Sequence, residues 1–139
     1  MPPIARSVGA VVLGFVLIGA LSGGTSYVMS QFIPGFFQPG TQITSAPLLL
    51  GVMSYVAVYA VFGCWLTARL APRRPMLHAL VLGALGLALN VVGTVQRWDH
   101  APAWYHALAL ALVMPYAWAG GRIRERQLEG GQTAIALAA

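Results

Sequence analysis

The sequence predicts an all-α membrane protein: a four-transmembrane-helix antiparallel bundle with both termini cytoplasmic. Three observations carry that prediction. Of 139 residues, 58% are hydrophobic and only 8% charged, whereas a soluble domain carries about 25% charged residues to keep its surface wet. Four apolar stretches, over about 8–29, 48–70, 76–95 and 103–120, each come close to the roughly 20 residues that cross a bilayer. A basic turn, RLAPRRPMLH at 69–78, separates the middle two. Its prolines lack a backbone N–H and clash with a helical turn, so they stop one helix and start the next.

The first stretch follows Arg6. A basic start, an apolar core over 8–21 and small residues at Ala20 and Ser22 also fit a secretory signal. The apolar run resumes at Tyr27, Val28 and Met29, which favours a retained span. Gly14, Gly19 and Gly23 recur along it, and Gly19 to Gly23 form a GxxxG. Such a groove suits close packing against a neighbouring span or, in the sharper reading, a homodimer.

The longest connection, 31–46, has Pro34-Gly35 and Pro39-Gly40 turn signals and no charge. Phe32, Phe36 and Phe37 are too apolar for water, so they are expected at headgroup level or folded back over the helix ends. The second span starts after Pro47. The third presents Ala79, Gly83, Gly86 and Gly93 among leucines, and the fourth carries Pro115, which is expected to kink it. Residues 1–121 form one four-helix domain and 122–139 a cytoplasmic tail. In that tail Arg122 and Glu125, and Arg126 and Glu129, are spaced for pairing on a short helical extension, and 130–139 are expected to fray.

Orientation follows from the basic charge, which is eight arginines and no lysine. Placing the 69–74 turn on the cytoplasmic side puts Arg6, Arg69, Arg73, Arg74, Arg122, Arg124 and Arg126 there together, at headgroup level. Only Arg97 falls outside, beside Asp99 as an expected ion-pair partner. Aromatic residues agree: Tyr27, Trp98, Trp104 and Tyr105 fall at outer ends, and Trp65, Tyr116 and Trp118 near inner ends, where half-buried rings keep a polar edge wet. With its arginines at the ends of apolar segments rather than on a basic face, the net charge of +5 does not point to nucleic acid.

The chemistry is sparse. No Asp, Glu, Lys or Arg lies mid-span. A proton-coupled exporter of this size, such as the small multidrug resistance transporters, needs an intramembrane carboxylate. One cysteine, Cys64, leaves no internal disulfide or Cys-rich metal site. Asp99, His100 and His106 are the only residues that topology would let meet as a metal set, and their spacing matches no strong pattern. His78 is expected to bind a helix-end carbonyl or a headgroup. No cofactor is expected, and no Ser–His–Asp or Cys–His arrangement assembles at one depth.

One depth match remains. Ser22, Thr25 and Ser26 of the first span, Ser54, Tyr55 and Tyr59 of the second, and Asn90 and Thr94 of the third all fall in outer halves. Two readings stay open: interhelical hydrogen bonds centred on Asn90, or a small polar cavity open to the outside that holds a lipid headgroup, a neutral solute or water.

The segments GCWLTARLAPRRPMLHALVLGALG at 63–86 and WYHALALALVMPYAWAGGRIR at 104–124 resemble a group of small bacterial four-helix inner-membrane proteins with an Ala-Pro-x-x-Pro turn and a closing Ala-Gly-Gly-x-Arg. The group has no established activity, so the resemblance implies a fold and a bacterial inner-membrane location and transfers no functional residue. The expected function is non-enzymatic: an accessory or interaction subunit, or a lipid-associated protein. Its expected partners are membrane lipids and a membrane-protein partner or a second copy. The alternative is a homo-oligomeric transporter or channel built around the outer polar cluster.

Overall fold

The computed structural model describes residues 2–36 and 38–139. Phe37, grouped above with Phe32 and Phe36, lies outside the described residues. Four helices account for most of the chain: α1 (Pro3–Phe32), α2 (Ala46–Leu70), α3 (Pro75–Gln96) and α4 (Ala103–Ala138), with a 3-10 turn at Trp98–His100 before the last. Prolines mark the starts. Pro3, Pro47 and Pro75 sit in the first two positions of α1, α2 and α3, and Pro102 precedes α4, where the missing N–H costs no intrahelical bond.

Three helices, α1, α2 and α3, are long and apolar enough to cross a membrane. α4 falls short of that mark, because Trp104, Tyr105, His106, Pro115, Tyr116 and Trp118 dilute its apolar half. It does not stop at 120. Residues 130–138, expected to fray, continue the helix, since extending an existing helix avoids the unfavourable nucleation step. Gln127 ties this extension back to α2 by accepting a hydrogen bond from the Trp65 indole N–H at 3.0 Å. Arg122 and Glu125 pair at 3.2 Å, whereas Arg126 and Glu129 form no ion pair among the described residues.

Consecutive helices run antiparallel. α1 packs beside α2 and α3, α4 beside α2 and α3, and α2 meets α3 across the middle, so α1 and α4 occupy opposite corners. The connection between α2 and α3 is only Ala71 to Arg74, and Arg74 closes it with a left-handed backbone at φ 50°. A side chain there is uncommon and mildly strained. The Arg74 carbonyl accepts from the backbone N–H of Leu77 and from the His78 ring Nδ1 at 3.1 Å each, so His78 meets the helix-end carbonyl.

Glycines set how closely the helices approach at the arginine-rich end. Gly14 of α1 lies against Thr67 and Gly63 of α2, Gly83 of α3 against Ala117 of α4, Gly120 against Val61, Cys64 and Trp65, and Gly121 against Met76 and Ala79. Thr67, fully buried, donates its hydroxyl to the Ala10 carbonyl at 3.1 Å. Around these contacts forms one apolar cluster, Cys64, Ala68, Ala79, Leu82 and Ala117. A second, separate cluster of Phe36, Ile43, Leu49, Val52 and Ala101 closes the other end. Phe36 has thus folded back over the helix ends, while Phe32 stays 80% exposed.

The GxxxG of α1 is not a packing groove within the chain: a side chain added at Gly19 or Gly23 would meet nothing. Large apolar residues face outward along the helices, among them Val12, Val16, Val58, Val81, Leu85 and Val92. A water-facing monomer rarely exposes apolar surface on that scale.

The tight end makes a direct prediction. In Gly120→Ala the new Cβ would lie 2.7 Å from the Trp65 nitrogen and the Val61 carbonyl oxygen, backbone atoms that cannot yield cheaply. The variant should lose about 1–3 kcal/mol in denaturant unfolding from detergent. Gly23→Ala should stay within about 0.5 kcal/mol of the parent. Equal losses would contradict the packing described.

Candidate functional site: a cavity in the outer half

Between the two apolar clusters the helices leave a cavity of about 500 Å³ that all four of them line. Its deep wall is apolar, with Phe15 and Ile18 from α1, Cys64 from α2, Leu82 from α3 and Val113 from α4. Its outer wall is polar, with Ser26, Tyr55, Asn90, Thr94, Arg97, His100, Tyr105 and His106. That volume lies in the ordinary range for one small ligand.

Two hydroxyl pairs fasten α1 to α2 beside the cavity. Thr25 Oγ1 and the Tyr59 hydroxyl are 2.9 Å apart, and Ser26 Oγ and the Tyr55 hydroxyl 2.7 Å. The Tyr55 and Tyr59 rings lean together with centroids 5.9 Å apart. The interhelical hydrogen bonding expected around Asn90 therefore centres on the tyrosines instead. Asn90 donates its amide to the Gly86 carbonyl of its own helix at 2.9 Å, the usual recourse of a short polar side chain without a partner opposite. Ser54 does the same to Leu50 at 2.8 Å and is absent from the cavity wall. The Ser22 hydroxyl oxygen is buried without a partner among the described residues.

At the outer end, the segment from Arg97 to Ala101 bends over the mouth. Arg97 ends α3, its backbone N–H reaching the Gly93 and Thr94 carbonyls at 3.1 and 3.3 Å. His100 donates its N–H to the Arg97 carbonyl at 3.0 Å and accepts from the Ile43 N–H at 2.9 Å, which joins the two outer loops. The long loop is braced internally as well, with the Thr41 hydroxyl 2.7 Å from the Gly35 carbonyl. His106, buried on α4, holds this turn from below. Its Nε2–H donates to the Trp98 carbonyl at 3.2 Å, and its ring stacks on the Trp98 indole with centroids 5.3 Å apart.

Asp99, His100 and His106 are not gathered as a ligand set: no group of three His, Cys, Asp or Glu that would hold a metal occurs among the described residues. Asp99 is exposed, and the expected ion pair with Arg97 does not form among the described residues. The turn points their side chains apart, leaving the guanidinium on the cavity wall. Sequence reasoning missed Arg97, Tyr105 and the apolar deep wall as parts of one site. A signal for the first was present, because Arg97 is the one arginine on the wrong side of the charge asymmetry.

The other seven arginines share the opposite end. Ala10 and Thr67 are joined there, and Gly121 meets Met76, which brings the start of α1, the α2–α3 turn and the basic part of α4 to one level. Arg69 lies over the Trp65 ring at 5.3 Å, close enough for a cation–π contact. A smaller apolar groove of about 280 Å³ runs between α1 and α3 at this end, lined by Val8, Val11, Val12, Leu77 and Val81 beside Ser7 and His78.

Comparison with known proteins returns no family, no curated protein and no solved structure that matches this chain, so its function is argued from the site.

Proposed function

We propose that this chain is a non-enzymatic, four-span protein of the bacterial inner membrane that holds one lipid-like amphiphile in its outer-half cavity. The observation that carries the reading is the graded wall. Apolar side chains line the deep part and hydroxyl, amide, imidazole and guanidinium groups line the mouth. An amphiphile has the same gradient along its length, so each of its parts meets matching surface, whereas a fully polar solute would leave the deep wall unmatched. Volume favours one hydrocarbon chain rather than a whole two-chain phospholipid.

An entry route is consistent with this. α1 and α3 approach at Gly14 and Leu82, but farther out a side chain added at Gly19, Gly23 or Gly93 would meet nothing. The seam between them thus widens toward the outer leaflet. The transporter alternative finds less support, because glycine contacts close the arginine-rich end and no path through a single chain continues the cavity. α4 joins α1 to α3 as a fourth span in this reading. Its Trp and Tyr residues sit where interfacial rings are favoured, and neighbouring helices shelter it.

Orientation rests on the arginines. Seven of the eight lie at one end of the bundle, and Lys and Arg near span ends accumulate on the cytoplasmic side. Green fluorescent protein fused after Ala139 should therefore fluoresce in bacterial cells, and alkaline phosphatase at the same place should stay inactive. The reverse pattern would overturn the orientation.

The cavity itself is tested by filling it. Ala109 lies on its wall, and Ala109→Phe should lower binding of 1-monooleoylglycerol at least tenfold in native mass spectrometry from a nonionic detergent, with the thermal unfolding midpoint retained. Undiminished binding by a folded variant would place the lipid elsewhere.

A further inference from the structure

Resting on the reading of the cavity as an amphiphile site, we infer that the head of its ligand is anionic, a phosphate or carboxylate bound by Arg97 with His100 beside it.

Four observations converge. The first is where the charge stands. Arg97 lies on the side that the positive-inside rule leaves poor in basic residues, so topology does not account for it. Nor does an ion pair: the neighbouring carboxylate of Asp99 is turned away, and Arg97 has no salt-bridge partner among the described residues. The second is the surrounding charge. None of the chain's three acidic residues, Asp99, Glu125 and Glu129, lines the cavity. A cationic or zwitterionic head would find repulsion from Arg97 and no carboxylate to offset it.

The third is the imidazole. His100 Nδ1 is buried with no hydrogen-bond partner among the described residues, on the same wall as Arg97. A buried polar atom left unpaired is costly, and a ligand head is what this wall lacks. The ring is held in place, because both backbone polar groups of His100 are bonded, to Arg97 and to Ile43.

The fourth is a ladder on α3. Asn90, Thr94 and Arg97 all line the cavity, and their spacing of four and three puts them on one helix face at successive turns. Moving outward, the wall offers an amide, then a hydroxyl, then a guanidinium. A hydrocarbon chain followed by a neutral hydroxyl or ester region and then an anion matches that order. A guanidinium grips carboxylate or phosphate through two parallel N–H bonds, and away from bulk water that pairing strengthens. The inner arginines show the contrast. They are a shared basic surface at the bundle end, whereas Arg97 is a single guanidinium aimed into a chamber.

The test uses the whole chain in a nonionic detergent and two probes that differ only by a phosphate: 1-oleoyl-lysophosphatidate and 1-monooleoylglycerol. Native mass spectrometry titrations should show both binding once per chain, with the phosphate form about tenfold tighter, the worth of a charge-assisted hydrogen bond. Arg97→Gln should erase that preference and leave monooleoylglycerol binding unchanged, which also reports that the variant is folded. Arg97→Lys, keeping the charge without the fork, should retain part of the preference. His100→Ala should reduce it by less than Arg97→Gln does. Millimolar inorganic phosphate should not displace the lysophosphatidate, because the chain supplies most of the binding.

Equal affinity of the parent protein for the two probes would overturn the anionic head and leave the cavity reading standing. So would a preference that survives Arg97→Gln in full. Binding of neither probe would sink the cavity reading itself, and with it this inference. Displacement by inorganic phosphate at equal concentration would assign the site to a free anion rather than a lipid.

Discussion

Everything in this bundle depends on glycine letting backbones touch at one end. In a bilayer the hydrocarbon is as apolar as leucine, so helices gain nothing by hiding apolar side chains from it. What holds them is close van der Waals contact and a few polar bonds. Gly14, Gly63, Gly83, Gly120 and Gly121 supply the contact, each lying against a neighbouring helix closely enough that a Cβ would collide. Thr67, bonded to the Ala10 carbonyl at the same level, adds a polar tie in a fully buried place. Toward the other end the glycines no longer face a partner. Tyr55, Leu89, Val113 and Tyr105 stand on the walls there, and the helices diverge around a space none of these side chains fills.

That divergence needs a closure, and the outer loops provide it. The 33–45 connection carries Phe36 down into the outer apolar cluster, and its Ile43 N–H is bonded to the carbonyl of His100. Backbone groups of a loop packed at a membrane surface need internal partners, and the two loops serve each other. His106 supports the same turn through Trp98. The consequence for function is positional. Arg97 and His100 belong to a braced rim, not to a free loop, so a polar head entering the mouth meets groups already in place. Preorganisation of this kind spares the entropy of ordering them on binding.

Much of this was legible in the residues. Helix positions followed from hydropathy and proline, because both act locally: Pro47 and Pro75 start helices wherever they are placed. The grouping of seven arginines at one end followed from counting, and the structure brings those segments to one level. The depth match of Ser26, Tyr55, Asn90 and Thr94 did mark the outer cavity wall. What could not be read was pairing. Asn90 looked like the centre of a network because an amide in hydrocarbon needs a partner, yet its own helix supplies one at Gly86. The GxxxG of α1 looked like the packing groove, but the turn of the helix presents Gly14 to α2 and leaves Gly19 and Gly23 without a neighbour. Which face a helix turns inward is set by three partners at once, and one-dimensional spacing does not contain that. The extension of α4 to Ala138 escaped for a different reason: two glycines at 130 and 131 weaken a helix but do not end one already formed.

The central claim is that the space between the two apolar clusters holds hydrocarbon. A monoacylglycerol carrying a diazirine midway along its chain, irradiated with the protein at substoichiometric ratio and mapped by peptide mass spectrometry, tests this most directly. The account predicts adducts on the deep wall, at Val56, Ala60, Ala109 or Val113. Adducts confined to outward-facing positions such as Val12, Val16, Val58 and Val92 would contradict it.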